Sequence, residues 1–154
     1  KKLRLLIGDS GQEEAALKDQ VSGLESRASI SFLGRVQPQV IVATYNSCDV
    51  CVFPSLREGF GVSAIESQAC QVPVIITRVG GHPESVDEGE TGLVVESKSV
   101  QELFEAMDKL MTDDQLRIDM GKRAREFVVS TYRFEDNFED ISKLYDMVLE
   151  KNRL

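Results

Sequence analysis

Positive charge is scarce in this chain. Eighteen Lys and Arg face 26 Asp and Glu, for a net charge of −8 at pH 7, a balance that repels a nucleic-acid backbone instead of displacing its counterions. Nucleic acid is not expected as a partner. The three cysteines are odd in number and lack the spacing of a small secreted scaffold, so no disulfide framework is expected and the thiols read as reduced, in a cytoplasmic setting. Apolar runs are only a few residues long and no basic-then-apolar leader is present, so no transmembrane segment or secretion signal is expected. There is one histidine, His82, no cluster with metal-ligand spacing and no Gly-x-Gly-x-x-Gly fingerprint. Neither a metal cofactor nor a nicotinamide dehydrogenase is therefore expected. No internal repeat or low-complexity tract interrupts the chain. With 154 residues, 42% of them hydrophobic, it can bury one core without disulfide or metal. The opening Lys1-Lys2, without Met, is read as the edge of a longer protein.

Short apolar runs at 3–8, 30–34, 49–54, 72–77 and 92–95 are bounded by Gly, Pro or Asp and are expected as five buried strands. Helical patterning fills 12–23, 38–47, 62–71 and, briefly, 83–88, with Pro38 and Pro83 suited to a first helical turn. Strand and helix alternate, which predicts an α/β fold: a doubly wound, Rossmann-like parallel sheet with right-handed crossovers. After residue 96 three C-terminal helices are expected, at 99–111, 114–130 and 136–151. Phe134, Phe138, Ile141, Tyr145 and Val148 form a stripe at helical spacing, expected to pack.

The stretch PSLREGFGVSAIE, residues 54–66, sets Glu58 and Glu66 on either side of a glycine-rich turn. In open parallel sheets ligands bind beyond the carboxyl ends of the strands, where loops lead into helix N-termini. Gly59 and Gly61 let the backbone adopt positive φ and approach a ligand, and the N–H groups of a helix starting near Val62 offer donors to an anion. Glu66 lies about one turn into that helix, roughly 6 Å along its axis, where a carboxylate can accept hydrogen bonds from a vicinal diol. Glu58, on the loop, reaches hydroxyls at the other end of the same ligand. The bend thus reads as a cradle for a diphosphate flanked by sugars. Ser63-Ala64-Ile65-Glu66 fits equally the capping box, in which Ser63 caps the helix, Glu66 reaches back to its N–H and Glu58 is a solvated loop residue.

The wider pattern favours the cradle. Glu58 and Glu66 around Gly59-Phe60-Gly61, then Pro73-Val74, Gly80-Gly81 with Glu84, and Thr91-Gly92 together resemble the donor-binding, C-terminal domain of the family-4 (group 1) retaining glycosyltransferases, enzymes of GT-B architecture. The likeness covers nearly the whole chain. It implies transfer of a sugar from a UDP- or GDP-linked donor to a saccharide or lipid-linked acceptor, with no metal. It also implies that Glu66 holds the donor ribose, that catalytic Glu58 lies by the transferred sugar, that backbone N–H groups of Phe60, Gly61, Val62 and Ser63 meet sugar and diphosphate, and that Arg35 and Val36 border the base. The family's leaving-group Arg and Lys, and its acceptor-binding domain, fall before the segment matched here. The chain is accordingly expected to be one half of a GT-B fold, 1–154, lacking its first strand-helix segment, and to be unable to transfer sugar alone. The parent is expected in the cytoplasm or peripheral to the inner face of the membrane. Arg57 and Arg78 read as exposed loop basics.

Other motifs carry less. GDSG at 8–11 resembles the nucleophile block of GDS-type esterases, with Ser10 as nucleophile, but His82 lacks the Asp-x-x-His context such enzymes need. It reads as a turn. His82 is expected on a loop beside Gly81, lining the cleft. Cys48-Asp49-Val50-Cys51 runs into a strand instead of opening a helix, so its thiols read as structural. Two other functions fit the same fold: a non-catalytic nucleotide- or protein-binding module, and a nucleotide-sugar epimerase or hydrolase of the same architecture.

Overall fold

A computed structural model describes residues 3–23 and 29–151, with the side chains of Phe134, Glu135 and Asn137 excepted. The chain divides into two compact units, one up to Ile41 and one from Val42.

In the first unit, strand β1 (Arg4–Gly8) is followed by helix α1 (Glu14–Ser22) and strand β2 (Ser29–Gly34). The strands pair in parallel, Leu5 beside Ile30 and Ile7 beside Phe32, with a register shift that sets Gly8 beside Gly34. These strands are not buried as expected. Leu5 is 38% and Leu33 44% exposed, and α1 buries no residue. Sheet faces are buried by elements packed on them, and α1, which buries no residue, supplies little such cover. Helix α2 (Pro38–Asn46) begins at its proline and runs into the second unit.

The second unit is built on strands β3 (Cys51–Phe53), β4 (Val74–Thr77) and β5 (Gly92–Val95). They lie in the order β3-β4-β5, all parallel. Helix α3 (Val62–Ala69) links β3 to β4, and a 3-10 turn (His82–Ser85) lies between β4 and β5, in place of the helix expected over 83–88. Helices α4 (Val100–Thr112), α5 (Asp114–Thr131) and α6 (Phe134–Lys151) follow. The parallel pairing is as expected, and among the described residues the strands pair as β1-β2 in the first unit and β3-β4-β5 in the second.

Central strand β4 is buried throughout, and its side chains alternate between two cores, as the period of a strand requires. Val74 and Ile76 pack with Ala64 of α3 and with Val86. Ile75 packs on the other face with Val95, Ala106 and Leu110 of α4 and Met120 of α5. The doubly wound arrangement thus follows from one strand of four apolar or β-branched residues covered on both sides. Asp113 closes α4 and caps α5, its carboxylate accepting from the Leu116 N–H at 2.9 Å. At Gly121 a Cβ would collide with the Gln71 carbonyl, so α5 lies against the turn that ends α3. Arg125 secures that contact by donating to the Ala69 carbonyl at 2.6 Å.

The α6 stripe does not pack as expected: Phe138 is 63%, Ile141 55%, Tyr145 67% and Val148 50% exposed, while the Phe134 side chain lies outside the described ones. Among the described residues, the two cores are formed by β3–β5, α3–α5 and Val86. No helix among the described residues is long and apolar enough to cross a membrane.

Leu110 is wholly buried between α4, α5 and the sheet. Leu110→Ala is therefore expected to lower unfolding free energy by about 2–5 kcal/mol, measured by urea denaturation. Gly121→Val forces α5 off the Gln71 carbonyl and is expected to cost about 1–3 kcal/mol by the same measurement.

Candidate functional site

The loop from Pro54 to Gly61 connects β3 to α3 at the carboxyl end of the sheet. Gly61 occupies the N-cap of α3 with φ 93°, in the left-handed region, and a Cβ there would run into the His82 imidazole. The conformation favours glycine and the space excludes any side chain. No side chain caps the helix; Ala64 and Ile65 N–H groups donate to the Gly61 carbonyl at 2.9 and 3.2 Å. The capping box that fits the sequence therefore does not form. It needs Ser63 at the cap, whereas the helix starts earlier and Ser63 is its second residue. Glu66, released from that duty, is exposed and accepts at Oε2 from the Tyr45 hydroxyl, 3.2 Å away. The first turn of α3 is left with N–H groups directed out of the helix and the positive end of its dipole, as an anion site requires.

A second loop braces the first. At Gly80, with φ 50°, a Cβ would collide with the Glu58 carbonyl, and at Gly81 with the Gly59 carbonyl, so the exit of β4 lies backbone against backbone on the glycine-rich turn. Thr77, the last residue of β4, donates from Oγ1 to the Ser55 carbonyl at 2.6 Å and ties the two exits together. The half-buried Glu58 is folded onto its own loop: its Oε1 accepts from the Gly59 N–H at 3.1 Å and its Oε2 from the Ser55 hydroxyl at 3.5 Å. Phe60 meets Tyr132 edge to face at 5.8 Å, and the Tyr132 hydroxyl donates to the Glu84 carbonyl at 2.9 Å. The end of α5 thereby holds both loops.

His82 is not the cleft-lining loop residue expected. It is 1% exposed, starts the 3-10 turn beneath Gly61, and faces Phe53 edge-on with ring centroids 6.4 Å apart. Its Nδ1 is buried without a hydrogen-bond partner among the described residues. Burial holds its pKa below 6.5, against the opposing pull of the Glu58 charge and the Thr77 carbonyl. Arg78 is engaged by Glu88 at 2.8 Å and Glu96 at 3.0 Å. Burial pushes the Cys51 thiol up to about 12, which leaves it a packing group and not a nucleophile.

The second unit therefore brings together Glu58, Gly59, Phe60, Gly61, Val62, Ser63 and Glu66 in one loop and helix start. Arg35 and Val36 follow β2 in the first unit, where the Val36 side chain stands over Gly8. Sequence reasoning missed Tyr45, the buried residue of α2. The available signal was its type, since a buried tyrosine hydroxyl needs a partner; no spacing connects positions 45 and 66.

Residues 1–127 match the family described as Glycosyl transferases group 1. The chain belongs to that family. It is 35% identical over 139 residues to D-inositol 3-phosphate glycosyltransferase of Corynebacterium jeikeium, covering 90% of the chain and 33% of that protein. To the capsular polysaccharide biosynthesis glycosyltransferase CapM of Staphylococcus aureus it is 37% identical over 148 residues, covering 96% and 38% respectively. The chain spans about a third of the length of the curated relatives it matches. Among solved structures, sucrose-phosphate synthase from Thermosynechococcus elongatus superimposes with TM-score 0.83 at 30% identity, over 98% of this chain and 39% of that one. Anabaena HepE, solved in complex with UDP-glucose, superimposes with TM-score 0.79 at 23% identity over 92% of this chain and 40% of its own, a likeness of fold. The α/β chain is thus one part of a GT-B glycosyltransferase architecture.

A histidine with a lowered native pKa binds fewer protons folded than unfolded, so His82 stabilises the fold above pH 6.5 and loses that contribution as pH falls below it. Urea unfolding between about pH 7.5 and 5.5 is expected to show stability falling on acidification, and His82→Gln is expected to flatten the slope. Gly61→Ala is expected to cost about 1–3 kcal/mol from strain at positive φ and from the displaced imidazole, read from the same urea curves.

Proposed function

We propose that this chain is the nucleotide-sugar donor-binding part of a retaining glycosyltransferase. The observation that carries the reading is the uncapped start of α3 behind a left-handed Gly61, with one carboxylate on the loop before it and another one turn inside. N–H groups of Phe60, Gly61, Val62 and Ser63 meet the diphosphate and its sugar. Oriented donors of this kind stabilise charge as it grows on a departing diphosphate, and such stabilisation usually accounts for more of the rate than any other single effect. Glu66 accepts from the ribose hydroxyls and Glu58 stands by the transferred sugar. Family membership and the UDP-glucose held by HepE support a nucleoside diphosphate sugar as the ligand. The relatives' names, which include a capsular polysaccharide enzyme, support a saccharide or lipid-linked acceptor, bound by parts of the whole protein outside this chain. Cysteines 48, 51 and 70 as free thiols support a cytoplasmic setting.

The test is a titration of UDP, GDP and their hexose conjugates into the isotope-labelled chain, followed by amide shifts. A donor site gives shifts centred on residues 58–66, with affinity in the range of Kd about 1 mM, near −4 kcal/mol. Glu66→Ala is expected to weaken binding about tenfold, the effect of about 1.4 kcal/mol. Absence of shifts at these amides with every nucleotide would reject the reading. In the whole protein, sugar transfer only when acceptor is supplied separates a transferase from an epimerase or hydrolase, and no turnover at all leaves a binding module.

A further inference from the structure

Three features outside the proposed contacts invite a role: the exposed face of α6, the thiols around Cys51, and the buried tyrosine behind α3. The last is carried furthest by the geometry. Tyr45 is 9% exposed, yet its hydroxyl emerges at the exposed Glu66, 3.2 Å from Oε2. Ser63, three residues before Glu66 in α3, lies on the same helix face and draws the Tyr45 pKa down, against the larger effects of burial and the Glu66 charge.

A phenol has one proton to give and oxygen lone pairs to accept with. That one proton is directed to Glu66 Oε2, 3.2 Å away. Burial and the Glu66 charge push the Tyr45 pKa up to about 12, so the hydroxyl remains a donor throughout the physiological range. An exposed glutamate on a helix otherwise samples several rotamers, and ordering such a side chain on binding carries an entropic cost. The packed tyrosine ring removes part of that cost before any ligand arrives.

We propose that Tyr45 is a positioning residue: its hydroxyl fixes the Glu66 carboxylate through Oε2, leaving Oε1 to accept from the vicinal diol of a nucleoside diphosphate's ribose. This inference rests on the donor-site reading above. It assigns to α2 a part in sugar recognition, reached through Glu66 and without contact of its own with the ligand. It also accounts for a tyrosine, and not an aliphatic residue, at the buried position of α2.

The experiment compares UDP and GDP with their 2′-deoxy counterparts, titrated into the chain and into Tyr45→Phe, with amide shifts as readout. The unaltered chain is expected to prefer the ribonucleotide. Tyr45→Phe is expected to weaken ribonucleotide binding about five- to tenfold while changing deoxyribonucleotide binding less than about twofold, so the preference collapses. Adding Tyr45→Phe to Glu66→Ala is expected to cause no further loss. Retained amide dispersion in β3–β5 verifies that the variants fold. An equal loss for both sugars, or an unchanged ribose preference in Tyr45→Phe, overturns the positioning role and leaves the donor site standing. If the unaltered chain binds neither nucleotide, or binds both sugars equally, the donor-site reading itself fails and the Tyr45 assignment with it.

Discussion

Two chain reversals meet backbone to backbone at the carboxyl end of the three-stranded sheet, and the candidate site depends on that contact. Gly80 and Gly81 lack the Cβ atoms that would collide with the Glu58 and Gly59 carbonyls of the first turn. Because the loops touch, His82 can lie beneath Gly61 and Thr77 can bond to Ser55 across neighbouring strand exits. A side chain at either glycine would drive the turns apart and carry the start of α3 with them. The separation of Glu58 from Glu66 is thus set by packing between loops, not by either loop alone.

On the donor reading, an acidic chain holds an anionic ligand. The net charge of −8 opposes a diphosphate at long range, but exposed charges are screened over about 8 Å at physiological ionic strength. Helix-terminal N–H groups act within the first turn and point at the ligand. Recognition of this kind is short-range and directional. Arg78, the cation after β4, is engaged by Glu88 and Glu96. Glu66 then contributes selectivity for hydroxyls, with its orientation set from behind by Tyr45.

The braces around the site come from distant parts of the chain. Tyr132, at the end of α5, touches Phe60 of one loop and bonds to Glu84 beyond the other. Arg125 and Gly121 hold the same helix against the turn that ends α3. Helix α5 is therefore a strut for the loops as well as a cover for the core. This coupling explains how short strands of three and four residues can hold loops at defined positions.

Alternating runs were enough to place β1–β5, α1–α5 and the bulk of α6, because strand and helix periods differ and glycine and proline punctuate them. The ordered glycines and glutamates between positions 58 and 92 pointed to the family, and Gly61 signalled a turn because glycine takes a left-handed backbone without strain. Burial was legible for β4, a run of four apolar or β-branched residues, and not for β1 and β2, whose apolar pattern is similar but whose accompanying helix α1 buries no residue. The α6 stripe looked like a core element because amphipathicity states that a face is apolar, not what covers it. Whether Ser63 and Glu66 formed a capping box or were free for other partners depended on where α3 began, and it begins at Val62 with Gly61 as N-cap. The Tyr45–Glu66 bond, the burial of His82 and the clamp of Tyr132 join residues far apart in sequence. Local composition by itself determined the elements and the chemistry available to the loop; only tertiary packing decided which side chains met, because contacts across a fold carry no period in the chain.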